Sequence, residues 1–203
     1  MFEFVKADLR RAEKGYPARP FLGNFFALYL TDRGFRAVML YRLANWLYRT
    51  GTPWLPKLIT AHAVGKTGAE IRPKATIGPG LVIKHPVGVV IGDGAKIGAD
   101  CTLLQGVTIG ERYSPGLEAR YPTVGSRVTV CANAAILGPV SLGDDVVVGA
   151  NAVVLSDVPT RALAVGVPAR TIQREEFLAC SQPSGSETAG CQLHPAMAGL
   201  LHQ

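Results

Sequence analysis

The stretch VGSRVTVCANAAILGPVSLGDDVVVGANAVVLSDV, residues Val124 to Val158, carries an aliphatic residue at every sixth position: Val124, Val130, Ile136, Leu142, Val148 and Val154. Four places after each stands a second small or aliphatic residue: Val128, Ala134, Val140, Val146, Ala152 and Val158. A period of six matches neither an amphipathic helix nor a half-buried strand. It is the beat of a solenoid, and hexapeptide repeats build parallel β-helices. Each unit reads as one short strand and a corner. Gly125, Gly143 and Gly149 follow the aliphatic position, where a tight bend leaves little room for a side chain. Three units close a triangular coil, and coils stack about 4.8 Å apart through ladder hydrogen bonds.

Toward the N-terminus the beat runs through Ile91, Ile97, Leu103 and Ile109 and, across a slip of two residues, through Ile71, Ile77, Ile83 and Val89. The fourteen units give between four and five coils. Between Ile109 and Val124 the spacing is 15, so about nine extra residues (Glu111 to Tyr121) bulge from one corner. With Arg112, Tyr113, Arg120 and Tyr121, this insertion is where specific chemistry is expected, ahead of the plainer reading of a tolerated loop. After Val158 the beat stops, and Val165 to Arg170 closes the solenoid. The expected division is a helical segment over 1–67, the β-helix over 68–172 and a disordered tail over 173–203.

The N-terminal segment reads as helices that cap the first coil, whose open edge would otherwise recruit foreign strands. Residues 2–14 form a first short helix ended by Pro17 and Pro20, residues 22–50 two helices broken at Gly34, and residues 58–66 another after Pro53 and Pro56. The segment is rich in Phe, Leu and Trp, but no run reaches the roughly 18 uncharged residues of a membrane span. Membrane surface contact through these helices is the minor alternative.

The 203 residues suffice for one solenoid with a modest helical part. The net charge of +6 is spread out, with no basic block to suggest nucleic acid, and suits an anionic small molecule equally well. The placement of the four cysteines argues against disulfides, and Met1 to Leu9 lacks the apolar core of a secretory signal, so a reducing cytoplasm is expected.

Only His62 and His85 fall outside the tail, too few for a three-histidine metal site, so no metal is expected. His62 lies on a helix and reads as structural. His85 lies off the inward positions, beside Pro86 and Gly88 and just before the slip, where a ligand can come close. It is weighed evenly against an ordinary surface histidine. Glu70, fifteen residues earlier, can lie near it on the adjacent turn and fix its tautomer, or can be a solvated glutamate at the solenoid's mouth. Cys101 points inward and Cys131 sits at a corner; neither is placed as a nucleophile.

Three stretches, Lys84-His85-Pro86-Val87-Gly88-Val89-Val90-Ile91-Gly92, Leu104-Gln105-Gly106-Val107-Thr108-Ile109-Gly110 and Gly166-Val167-Pro168-Ala169-Arg170, resemble the serine O-acetyltransferases of the hexapeptide acyltransferase superfamily. The resemblance covers about residues 22–172, including Tyr41-Arg42-Leu43-Ala44-Asn45-Trp46-Leu47 in the helical segment. It implies a left-handed β-helix, a homotrimer with sites at subunit interfaces, and direct acetyl transfer from acetyl-CoA to a hydroxyl, with pairing of trimers through the helices left open. It aligns His85 with the general base, Glu70 with its acidic partner, Arg120 with an arginine holding the acceptor's carboxylate, and Gly110, Ala132, Ala150 and Arg170 with the CoA path. Three positions depart from the pattern: Lys84 stands where an aspartate faces the substrate ammonium, Tyr121 replaces a histidine of the acceptor pocket, and Gly23 and Asn24 stand near a lost aspartate. Acetylation of serine, in cysteine biosynthesis, is the first expectation. A sugar hydroxyl is the alternative acceptor, and a silent binding scaffold is a third reading.

Overall fold

Paired inward residues every six positions make the backbone turn three times per coil, and the computed structural model, which describes residues 1–13, 21–52, 54–112 and 120–173, has that three-sided form. Face I stacks β1 (Glu70–Ile71), β4 (Val90–Ile91), β7 (Thr108–Gly110), β10 (Ala135–Leu137) and β13 (Val153–Val154). Face II stacks β2 (Thr76–Ile77), β5 (Lys96–Ile97), β8 (Thr123–Val124) and β11 (Ser141–Leu142). Face III stacks β3 (Val82–Ile83), β6 (Thr102–Leu103), β9 (Thr129–Val130), β12 (Val147–Val148) and β14 (Ala162–Val165), with β15 (Arg170–Gln173) antiparallel on β14.

Register places aliphatic on aliphatic: Ile71 pairs with Ile91, Ile91 with Ile109, Ile109 with Ile136 and Ile136 with Val154, none more than 4% exposed. Each such burial is worth about 1.5–3 kcal/mol, which is why the period is strict. The two irregularities read from the sequence appear as coil lengths. Glu70 pairs with Val90 across a coil two residues longer than the one joining Val90 to Thr108, the excess lying at residues 84–89. The insertion lies between β7 and β8.

Along the strands N–H groups such as those of Thr76 and Gly78 donate to the following coil, at Ala95 O and Ile97 O, while corner N–H groups such as those of Gly88 and Asp100 donate back, to Gly68 O and Pro79 O. Strand carbonyls of the first coil such as Ala75 O and Ile77 O have no preceding coil to fill them. The helices α1 (Phe2–Ala12), α2 (Phe21–Thr31), α3 (Arg33–Arg49) and α4 (Leu55–Thr67) supply the donors. Asn45 Nδ2 donates to Pro73 O at 2.8 Å, Tyr41 Oη to Ala75 O at 2.8 Å, and Arg42 to Ile77 O and Gly78 O at 2.6 Å each. Buried Asp8 accepts from Arg42 Nε at 2.9 Å and from Gly80 N and Leu81 N at 2.8 and 3.0 Å, so one carboxylate ties α1, α3 and the first coil together. A single apolar cluster runs from Leu9, Phe35 and Val38 into the rungs.

Some expectations about the helices shift. The break lies at Asp32, whose side chain accepts from Phe35 N as the N-cap of α3, and Gly34 is inside that helix. Gly34 is required for close approach, because a Cβ there would collide with Ile83 O. The last helix begins at Leu55, with Pro56 in its first turn where the missing N–H costs nothing. His62 is exposed on α4 and packs in no core, which corrects its structural reading. No described helix is long and apolar enough to cross a membrane. Pro17, Pro20, Pro53, Tyr113 and the tail from residue 174 lie outside the described residues.

Candidate active site

The corner between faces III and I holds the longer turn, and the two extra residues there let the chain leave the prism. His85 takes a left-handed φ of 56° and, with Lys84, is exposed, while Pro86 is buried beneath them. A cavity of about 730 Å³ opens beside them, between this turn and the helices, lined among others by Arg11, Asp32, Arg33, Lys84 and His85. Arg11 is fixed in its wall, with Nη1 donating to Gly80 O at 2.8 Å and Nη2 to Thr102 Oγ1 at 3.2 Å.

Further along the same corner the ladder stacks Val87, Gln105, Ala132 and Ala150. Gly106 N donates to Val87 O, Asn133 N to Gln105 O and Asn151 N to Ala132 O, at 2.8–3.0 Å. Ala132 and Ala150 therefore form one small-residue track leading toward His85. Gln105, to which sequence reasoning gave no role, lies on this track with its Oε1 buried and without a hydrogen-bond partner among the described residues. No sequence signal announces that, because an unsatisfied acceptor depends on what the fold fails to place beside it.

Other expected residues gather elsewhere. Glu70 and His85 are on stacked segments, with Glu70 N donating to Val89 O and Gly88 N to Gly68 O, yet no hydrogen bond joins their side chains. The Glu70 carboxylate instead accepts from Arg72 at 3.4 Å, Arg72 also reaches Asp93 at 3.4 Å, and these line a second cavity of about 570 Å³ with Lys57 and Lys74. The expected Glu70–His85 contact is thus absent from the single chain, where Glu70 lines the second cavity and His85 the first. Tyr121 lies flat over Gly92 and Gly94 at the corner between faces I and II, where side chains on either residue would strike its ring. Burial, then the nearby Glu111 and Asp93, pushes its phenol above the usual tyrosine range. Arg120 is exposed beside it, and Gly110 ends β7 at the same corner. Arg170 is exposed at the start of β15.

Cys101 is buried, its Sγ donating to Gly125 O at 3.2 Å, and burial pushes its thiol up; Cys131, at the end of β9, shifts the same way for the same reason. Neither favours a thiolate and neither lines the first cavity, where His85 is joined by one carboxylate, Asp32, that is engaged in capping α3.

Residues 121–156 match the family of bacterial transferase hexapeptide (six repeats), and residues 88–112 the hexapeptide repeat of succinyl-transferase. The chain is 40% identical to the serine acetyltransferase of Mycobacterium tuberculosis over 184 residues, covering 91% of this chain and 76% of that protein. It is 44% identical to that of Helicobacter pylori strain J99 over 156 residues, covering 77% of this chain and 91% of that protein. The chain belongs to the serine acetyltransferase family. Solved members agree in architecture: soybean serine acetyltransferase complexed with serine superimposes with a TM-score of 0.76 at 35% identity, covering 85% of this chain and 70% of that one. A serine acetyltransferase complex with CoA gives 0.72 at 32% identity, covering 83% and 68%. The prism is accordingly the left-handed parallel β-helix of this family, with four short helices in front.

Proposed function

We propose that this chain is a serine O-acetyltransferase, carrying the acetyl group of acetyl-CoA to the hydroxyl of L-serine at the entry to cysteine biosynthesis. The observation that carries the reading is the position of His85, at the head of the Ala132 and Ala150 track and on the rim of the first cavity. Neutral imidazole takes the hydroxyl proton as the oxygen attacks the thioester carbon, a role worth about 10² to 10⁴ in rate. The C–S bond breaks, and the proton passes to the departing CoA thiolate. That thiolate leaves readily, so no covalent enzyme intermediate is needed. Ladder N–H groups at the corner are the candidate donors to the oxyanion.

For CoA the fit rests on the small residues of the track and on Gln105, whose buried Oε1 needs a donor such as an amide N–H of the pantetheine arm. Gly110, Ala132, Ala150 and Arg170 line the proposed path. Glu70 is the proposed partner of His85, reached by turning from Arg72, and Arg120, Tyr121 and Lys84 border the acceptor.

The reading includes a homotrimer. His85 stands at the corner between faces III and I, while Arg120, Tyr121 and Gly110 stand at the corner between faces I and II. Three copies about a threefold axis would set one copy's first corner against the next copy's second. Trimers would pair through the helices, where Phe26, Leu30 and Trp54 are exposed. The two described cysteines are free thiols, which supports a reducing cytoplasm. A thiol-release assay with acetyl-CoA and L-serine tests the function. Turnover that vanishes in His85→Ala is the expected result; turnover of a sugar alone would move the assignment to sugar O-acetylation.

A further inference from the structure

We propose that the cavity at His85 selects its acceptor by negative charge and does not require an ammonium group, so that short anionic hydroxy acids are substrates alongside serine. This rests on His85 being the base of the proposed acetyl transfer. The described residues around the cavity include three cations, Arg11, Arg33 and Lys84, and one carboxylate, Asp32. Arg11 is partly offset by Asp100, 3.8 Å away, and is immobilised by its bonds to Gly80 O and Thr102 Oγ1. Arg33 and Lys84 are exposed and make no ion pair among the described residues, so their charges are available to a ligand. Asp32 is engaged in the opposite sense. Its Oδ1 accepts from Phe35 N at 2.9 Å and caps α3, where the helix terminus offsets its charge.

The balance favours a carboxylate and opposes an ammonium beside Lys84, which flanks the base in the chain. An acceptor that keeps the carboxylate and replaces the ammonium by a neutral group keeps the attraction and loses the repulsion. L-glycerate is such a molecule, with a hydroxyl in the ammonium's place. Its C3 hydroxyl oxygen would form the ester bond, the thioester C–S bond would break, and the proton of that hydroxyl would pass through His85 to the CoA thiolate.

The test is thiol-release kinetics with acetyl-CoA and three acceptors: L-serine, L-glycerate and 2-aminoethanol, which keeps the ammonium and lacks the carboxylate. The expected kcat/KM for L-glycerate lies within about tenfold of that for L-serine, and that for 2-aminoethanol at least about a hundredfold below it, as one gained or lost charge contact implies. Lys84→Asp should shift the glycerate-to-serine ratio toward serine by on the order of a hundredfold, with Arg33→Gln giving a smaller shift the same way. That ratio is read within one preparation, so loss of folded protein cancels. Serine turnover with glycerate more than about tenfold worse, or a ratio untouched by Lys84→Asp, overturns the proposal and leaves serine acetylation standing. No thiol release with any acceptor overturns both.

Discussion

Two corners of the prism use one backbone device for different ends. Between faces II and III, Asp100, Arg127, Asp145 and Arg161 adopt φ near 60° on successive coils; between faces III and I, Gly106, Asn133 and Asn151 do the same. At the first corner the side chains are charged and satisfy one another: Arg127 donates to Asp145 at 2.8 Å, and Asp144 accepts from Ser126 N at 2.8 Å. The helices are also anchored at this corner, through Arg42 on Gly78 O, Arg11 on Gly80 O and Asp8 on Gly80 N and Leu81 N. At the second corner the left-handed residues after the first coil are small or uncharged, Gln105 Oε1 is left wanting, and His85 stands out with Lys84 from an enlarged turn. A left-handed corner residue is therefore no sign of function in this fold. What separates the two is whether the side chains complete each other or leave something for a ligand to complete.

That contrast breaks if changes at the first corner alter turnover or changes at the second alter only stability. The largest expected effect is on rate: His85→Ala lowers kcat at least about a hundredfold while the thermal midpoint stays put, read by steady-state kinetics and calorimetry. Next is Asp8→Ala, which strands the Arg42 guanidinium in the interior and should cost about 3–5 kcal/mol in urea unfolding. The protein that remains folded should keep its KM for both substrates. Gln105→Leu separates the two corners more finely. Removing a buried, unpartnered oxygen should leave stability unchanged or raise it by up to about 1 kcal/mol, while KM for acetyl-CoA rises. A Gln105→Leu enzyme with unaltered KM would remove that side chain from the CoA path. The smallest effect belongs to Arg127→Ala, whose ion pairs are open to solvent; kcat should not change, and any loss of stability should fade at high salt.

The rungs were legible because only an aliphatic side chain serves at a position buried on every coil, and both irregularities, at residues 84–89 and after Gly110, showed as breaks in the count. A helix break at Gly34 falls two residues past the cap at Asp32, because the lack of a Cβ at Gly34 answers to Ile83 O, a contact between distant segments, and not to the end of a helix. The cap at Asp32 was available as a local signal. Residues as far apart as Asp8, Arg42 and Gly80 meet through packing that no spacing rule encodes. Spacing also placed Glu70 and His85 on neighbouring turns correctly, but it carries no information about which way a side chain leaves the backbone. Only the structure put Glu70 with Arg72.

The donors that Asn45, Tyr41 and Arg42 offer to the first coil give the solenoid a polarity in its melting. A stack whose members hold only their neighbours unzips from whichever terminus is less firmly held, and here one terminus is clamped by helices while the other is closed by the single hairpin of β14 and β15. Fraying should start at that hairpin and travel toward the clamp. The imidazole, on the first coil beside the clamp, would then be among the last groups to lose its place, and on the proposed reading a partly opened molecule would surrender its grip on the far end of the coenzyme before its capacity to move a proton.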